Sequence, residues 1–145
     1  MDDGTLERNR TLVHELYDTL MTEGDAAAAE RLVAEDYVDH DVPGPFPGTR
    51  DGLIAAVAGV RQAFPDVRPE LFETIAEGDW VSVRVEAGGT HTGAPFMGVE
   101  PSGRAMRWKE IHHYRCRDGR IVEHRGVFDL LAILVQLGAV TLPTS

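Results

Sequence analysis

The sequence predicts an α+β fold: helices first, then an antiparallel sheet, then a short closing helix. Three observations carry this. Apolar side chains recur at helical spacing through the first part of the chain. From residue 80 valines alternate with polar residues in the period of a strand. Asp118-Gly119 then joins two strand-like stretches, the dipeptide that most strongly signals a tight hairpin.

Taken in order, Leu12, Val13, Leu16, Tyr17, Leu20 and Met21 form one face of an amphipathic helix starting near Leu6. Asp25 is placed to cap a short second helix, "AAAAERLVA". "EDYVDHDVPGPFPG", rich in proline and glycine, reads as an irregular loop. Thr49 caps a third helix with the stripe Leu53, Ile54, Val57, Val60 and Phe64, ended by Pro65. "PELFETIAEGDWVSVRVEA" gives two strands around Glu-Gly-Asp, and "GGTHTGAPFMGVEPSG" a loop. "RAMRWKEIHHYRC" and "RIVEHRGVF" are the hairpin strands, and "DLLAILVQL" is a helix between an Asp129 N-cap and Gly138.

At 145 residues the chain is expected to be one domain, 1–145. The 43% hydrophobic and 26% charged residues are ordinary for a globular protein. A net charge of −10 has the wrong sign for tracking a phosphate backbone, so nucleic acid is not expected as a partner. No stretch has a signal-peptide pattern or membrane-spanning length, and the expectation is a cytoplasmic protein that does not engage membranes. The lone Cys116 excludes an internal disulfide and cysteine-pair zinc sites.

Alternation in the hairpin puts Met106, Trp108, Glu110, His112, Tyr114 and Cys116 on one face, with Arg107, Lys109, Ile111, His113 and Arg115 on the other. On the next strand Val122, His124, Gly126 and Phe128 share a face, opposite Ile121, Glu123, Arg125, Val127 and Asp129. Carboxylates and imidazoles among large apolar groups need partners if buried. The face therefore either lines a small-molecule pocket or carries a satisfied polar pair on a half-exposed sheet.

"GTHTGAPFMGVEPSGRAMRW" followed by "RDGRIVEHR", with "YVDHDVPGP" and "AFPDVRPE", resembles the SnoaL-like polyketide cyclase family of the NTF2-like superfamily, over roughly residues 12–140. The resemblance implies a cone: helices packed into a strongly curved antiparallel sheet around a deep pocket, with dimers formed through the outer sheet face. It implies an aldol-type ring closure of a hydrophobic, polycyclic intermediate, with no metal and no cofactor. Relatives on this fold also act as hydroxylases, hydrolases or isomerases, or bind without catalysis, and the fold alone does not choose. The family's acid/base Asp follows the "EH(W/R)" motif, and here that position is Gly126 in "EHRGVFD". Where the family has an amide two residues before a pocket histidine, this chain has Glu110 and His112; a polar position on the third helix falls at Ala56.

Aldol addition needs a base to remove a proton alpha to a carbonyl and a donor for the enolate and alkoxide. Glu110 is the candidate base, its carboxyl expected to be raised by burial, with His112 about 7 Å along the strand as donor. His124 is the candidate replacement for the missing Asp. Candidate substrate contacts are His40 at the pocket mouth, Met97, Trp108 and Tyr114 as apolar lining, and Asp129, which also reads as a helix cap. His91 reads as structural, and Arg84 and Arg125 as partners of neighbouring acids. His112 and His113 point to opposite faces and cannot share one ion, and no metal is expected. The rival reading is a small-molecule binding protein that kept the pocket after losing the base, which Gly126 favours.

Overall fold

The computed structural model describes residues 2–144. Its helices are α1 (Asp3–Leu16), α2 (Ala26–Leu32), α3 (Arg50–Ala63) and α4 (Leu130–Leu137). Its strands are β1 (Val33–Asp39), β2 (Glu70–Glu77), β3 (Trp80–Thr90), β4 (Ala105–Arg117) and β5 (Arg120–Phe128). Each helix begins at a side chain that satisfies an orphan backbone N–H: Asp2 accepts from Thr5, Asp25 from Ala28, Thr49 from Gly52 and Asp129 from Ala132. α1 starts earlier than the apolar spacing suggests and ends in a π-helical turn, Tyr17–Met21, which turns Tyr17 and Leu20 into the core.

The strands form one curled sheet in the order β1-β5-β4-β3-β2. β2 to β5 are antiparallel neighbours, as expected. β1 adds a fifth strand parallel to β5, in a stretch read from sequence as loop. The three prolines of that stretch lie beyond its end, and Tyr37 and Asp39 alternate inward against exposed Val38. The Asp118-Gly119 hairpin is as expected, with φ of 53° and 76°, both positive as a type I′ turn demands. Beside it a β-bulge shifts the register between Arg115 and Cys116, so that Ile121 pairs with Cys116 and is fully buried. Strict alternation had put Ile121 on the outer face; the bulge corrects that.

The inner sheet face and the helices bury two adjoining apolar clusters. One joins Leu12, Val13, Leu16, Tyr17 and Leu20 to Val81, Val83, Val85, Tyr114 and Ile121. The other gathers Phe64, Val67, Met106, Trp108, Ile133 and Leu137. His91 is fully buried against Phe64, with Nε2 3.0 Å from the Ala94 carbonyl, which makes it a structural pin under the long β3–β4 loop.

Candidate functional site

Between the clusters lies a cavity of about 420 Å³, within the range of small-molecule sites. Its floor is the inner face of β4 and β5, and its rim is made by the Pro-rich segment after β1 and by Pro95, Phe96 and Met97. The lining is largely apolar, and the polar groups concentrate on the floor.

Those groups form one chain of hydrogen bonds. Trp108 Nε1 donates to Glu110 Oε1 at 2.7 Å, and Glu110 Oε2 lies 2.8 Å from His112 Nε2. His112 Nδ1 is 2.8 Å from His124 Nε2, and His124 Nδ1 is 2.8 Å from Asp39 Oδ1. The Tyr37 hydroxyl and the Asp41 backbone N–H also donate to Asp39, at 3.0 and 2.9 Å. The period of two on β4 aligns Trp108, Glu110 and His112, and the parallel register of β1 sets Asp39 beside His124.

Gly126 lies directly across the ladder from His112. A Cβ at 126 would overlap His112 Nδ1 and come within 2.8 Å of His124 Nε2. The space in which the resemblance puts the cyclases' Asp side chain is thus the space through which the two imidazoles meet.

The side chains of Glu110 and His112 are 20% and 14% exposed, those of His124 and Asp39 9% and 2%. The chain therefore has an open end at Glu110 and a closed end at Asp39. Burial pushes the Glu110 carboxyl up, but the hydrogen bond and attraction of His112, with the Trp108 N–H, outweigh it and hold it below its ordinary value. This reverses the sequence expectation of a raised carboxyl, because burial came with partners. Burial likewise raises Asp39, and His124, the Asp41 N–H and Tyr37 more than offset it.

Nearby, the Tyr17 and Tyr114 hydroxyls are 2.8 Å apart. Burial raises both phenols well above their ordinary value, so both keep their protons. Two hydroxyl protons serve one mutual bond, which leaves the second available to an oxygen in the cavity.

Of the residues singled out in the sequence, Glu110, His112, His124, Trp108, Tyr114 and Met97 all line this cavity, as does Ala56. His40 does not: its Nε2 is 2.8 Å from Glu123 on the far side of β5. Asp129 does not either; it is an exposed helix cap, with Oδ1 3.0 Å from the Ala132 N–H. Arg84 and Arg125 lie beside Glu73 and Glu123. Burial pushes the Cys116 thiol up to about 12, and it is an inert core group. Sequence reasoning missed Asp39, Tyr37 and Tyr17; the signal available for the first two was the alternation of Tyr37 and Asp39 just ahead of the prolines. Among the described residues no cluster of three His, Cys, Asp or Glu is arranged to hold a metal. Among the described residues no helix is long and apolar enough to cross a membrane.

Residues 11–137 match the family model for SnoaL-like polyketide cyclases. Aklanonic acid methyl ester cyclase DnrD of Streptomyces peucetius is 33% identical over 89 residues, covering 61% of this chain; the chain thus spans 61% of that relative's length. IdmH of Streptomyces antibioticus, proposed to be a polyketide cyclase, is 34% identical with a TM-score of 0.76, covering 90% of this chain and 98% of that one. AclR of Streptomyces galilaeus, proposed to be a hydroxylase, is 26% identical with a TM-score of 0.81, covering 94% and 88%. With that match running through every element from α1 to α4, the chain belongs to the SnoaL-like polyketide cyclase family.

Proposed function

We propose that the protein closes a ring of a hydrophobic, polycyclic polyketide intermediate by intramolecular aldol addition, using Glu110 as its base. The observation that carries this is the convergence of Glu110, His112, His124 and Asp39 on one cavity floor under an apolar lining. A pocket built only to hold an apolar ligand gains little from four desolvated titratable groups.

In this reading the open-end carboxylate of Glu110 removes a proton alpha to a substrate carbonyl, and the C–H electron pair becomes the enolate. The free hydroxyl proton of the Tyr17–Tyr114 pair is placed to stabilise the enolate oxygen. The enolate carbon attacks a second carbonyl within the same molecule, forming the new C–C bond and moving that carbonyl's π electrons onto oxygen. The alkoxide then takes the proton back from Glu110. Atoms and electrons balance without an oxidant, a reductant or a cofactor. His112 holds Glu110 in place, and His124 with Asp39 holds His112. Exposed apolar residues on the outer sheet face support the further proposal that two copies assemble back to back.

The test is turnover of aklanonic acid methyl ester, the compound named for the relative DnrD, by the wild-type chain and by Glu110→Gln. The variant keeps the shape and a hydrogen-bond acceptor but is no base. Its kcat is expected to fall about 10²–10⁴-fold with KM little changed. A variant as active as the wild type would remove Glu110 from the chemistry. Tight binding of the ester by the wild type without conversion would favour the binding-protein reading.

A further inference from the structure

Counting protons along the floor leads beyond the acid/base reading, on which only its catalytic consequence rests. Asp39···His124, His124···His112 and His112···Glu110 are three contacts of 2.8 Å between ring nitrogens and their partners. A hydrogen bond needs one proton in each. Two neutral imidazoles bring only two, one per ring. If each ring donates to its carboxylate, the nitrogens that face each other, His112 Nδ1 and His124 Nε2, are both lone pairs. Two lone pairs 2.8 Å apart repel, so the arrangement calls for a third proton.

The surroundings say where it sits. Glu110 accepts from Trp108 through one oxygen and meets His112 through the other. Asp39 accepts from Tyr37 through one oxygen and from the Asp41 N–H through the oxygen that also meets His124. The Trp108 N–H at one end and the Tyr37 hydroxyl and Asp41 N–H at the other are fixed donors that favour the ionised carboxylate at each end. A proton on Glu110 Oε2, by contrast, would keep the three contacts only by reversing the bonds to His112 and between the rings. The remaining titratable or charged groups around the rings are Tyr17 from the π turn, Tyr114 from β4, Asp41 beyond β1 and Arg61 on α3. The phenols are neutral and bonded to each other, and Asp41 accepts from the Gly126 N–H at 3.0 Å. Two anions therefore flank the ring pair, one at each end.

We propose that His112 and His124 share a third proton and stand as a resident imidazolium pair. Asp39 is the positioning residue that holds it, and the glycine at 126 is what admits it. The pair places a positive charge behind Glu110, where enolate charge develops, and so supplies electrostatic stabilisation from fixed groups. The missing family Asp at 126 is then an exchange: one carboxylate on β5 is given up for a two-ring cation anchored from β1.

The test reads the ring nitrogens directly, by long-range proton–nitrogen correlation on the ¹⁵N-labelled full chain at neutral pH. The expected wild-type spectrum has three protonated nitrogens and one shared N–H···N across His112 and His124, with Glu110 ionised by carboxyl carbon shift. Asp39→Asn, which keeps an acceptor for His124 but removes the charge, is expected to lose the shared proton. Gly126→Ala is expected to lose the coupling between the rings while both histidines remain visible. Two neutral rings in the wild type, or the third proton on Glu110, would overturn the proposal. An unchanged Asp39→Asn spectrum would remove Asp39 from the role. If either variant fails to fold, the wild-type spectrum still decides. None of these readouts uses turnover. An inactive wild type with the imidazolium signature would sink the cyclase reading alone, and an active one without it would sink this proposal alone.

Discussion

Gly126 faces His112 across the ladder, and one methyl group there would fill the gap through which His112 reaches His124. The chemistry of the floor thus depends on individual side chains, and so does its response to acid. Asp39 and Glu110 both have folded-state carboxyls below their ordinary values of 3.8 and 4.5. A depressed carboxyl stabilises the fold in full above its unfolded value and loses that contribution as pH falls through the folded one. Urea unfolding followed from about pH 6 to about pH 3 is therefore expected to weaken steadily on the acid side of about 4.5. Asp39→Asn, with no proton to gain at that position, should show a shallower acid decline and a lower plateau above it; an equally steep decline would mean that Asp39 is not linked to folding. At this scale the sequence was informative where a period of two sufficed: Trp108, Glu110, His112 and Tyr114 on one face, His124 and Gly126 on the next strand. It was silent on Asp39, because the contact with His124 spans 85 residues and no local pattern encodes it. It misjudged the direction of the Glu110 shift for the same reason, since burial was legible and the partners were not.

Elements were easier to read than their pairing. Caps, apolar stripes and the Asp-Gly turn are local signals, and they located α2, α3, α4 and the β4–β5 hairpin. β1 escaped because a strand parallel to β5 is specified by a partner far along the chain, and its prolines mask where it ends. The bulge that buries Ile121 escaped because one extra residue breaks the alternation on which facing was judged. The hairpin turn can be tested as an element. Gly119 has φ 76° and nothing within 4 Å of an added Cβ, so Gly119→Ala strains the backbone without a clash. The expected cost is about 1 kcal/mol, seen as a lower urea midpoint at unchanged m. The bulge and the inward face should still hold register, so Glu110 and His112 stay in place and turnover is retained. A large loss of turnover at that small cost in stability would show that the turn itself holds the site in register.

At the scale of the molecule, the sheet spends its two faces differently. The inner face is committed to the clusters and the cavity, while the outer face leaves Phe72, Ile111 and Val127 exposed, Val127 at 72%. Ile111 and Val127 are paired across β4 and β5, Ile111 pairs with Arg84 on β3, and Arg84 in turn covers Phe72 on β2. The result is a row crossing four strands, with cations and acids around it: Lys109, Arg107, Arg115 and Arg125 among Glu70, Glu73, Glu86 and Glu123. A second copy related by a two-fold axis would lay the same row against itself and set its charges against opposite ones. The net charge of −10 on each copy opposes this at long range and is screened by salt, whereas apolar burial is not. The expected outcome in sedimentation equilibrium is a dimer whose association strengthens or holds steady as salt is raised. Val127→Glu puts a charge on the most exposed apolar residue of the row in each copy and is expected to give a monomer with an unchanged far-ultraviolet spectrum, because the residue is already exposed and supports no core. Turnover should persist in that monomer, since every group on the cavity floor comes from one chain. A wild-type monomer at all salt concentrations, or a Val127→Glu dimer as tight as the wild type, would mean that the outer face does not serve self-association.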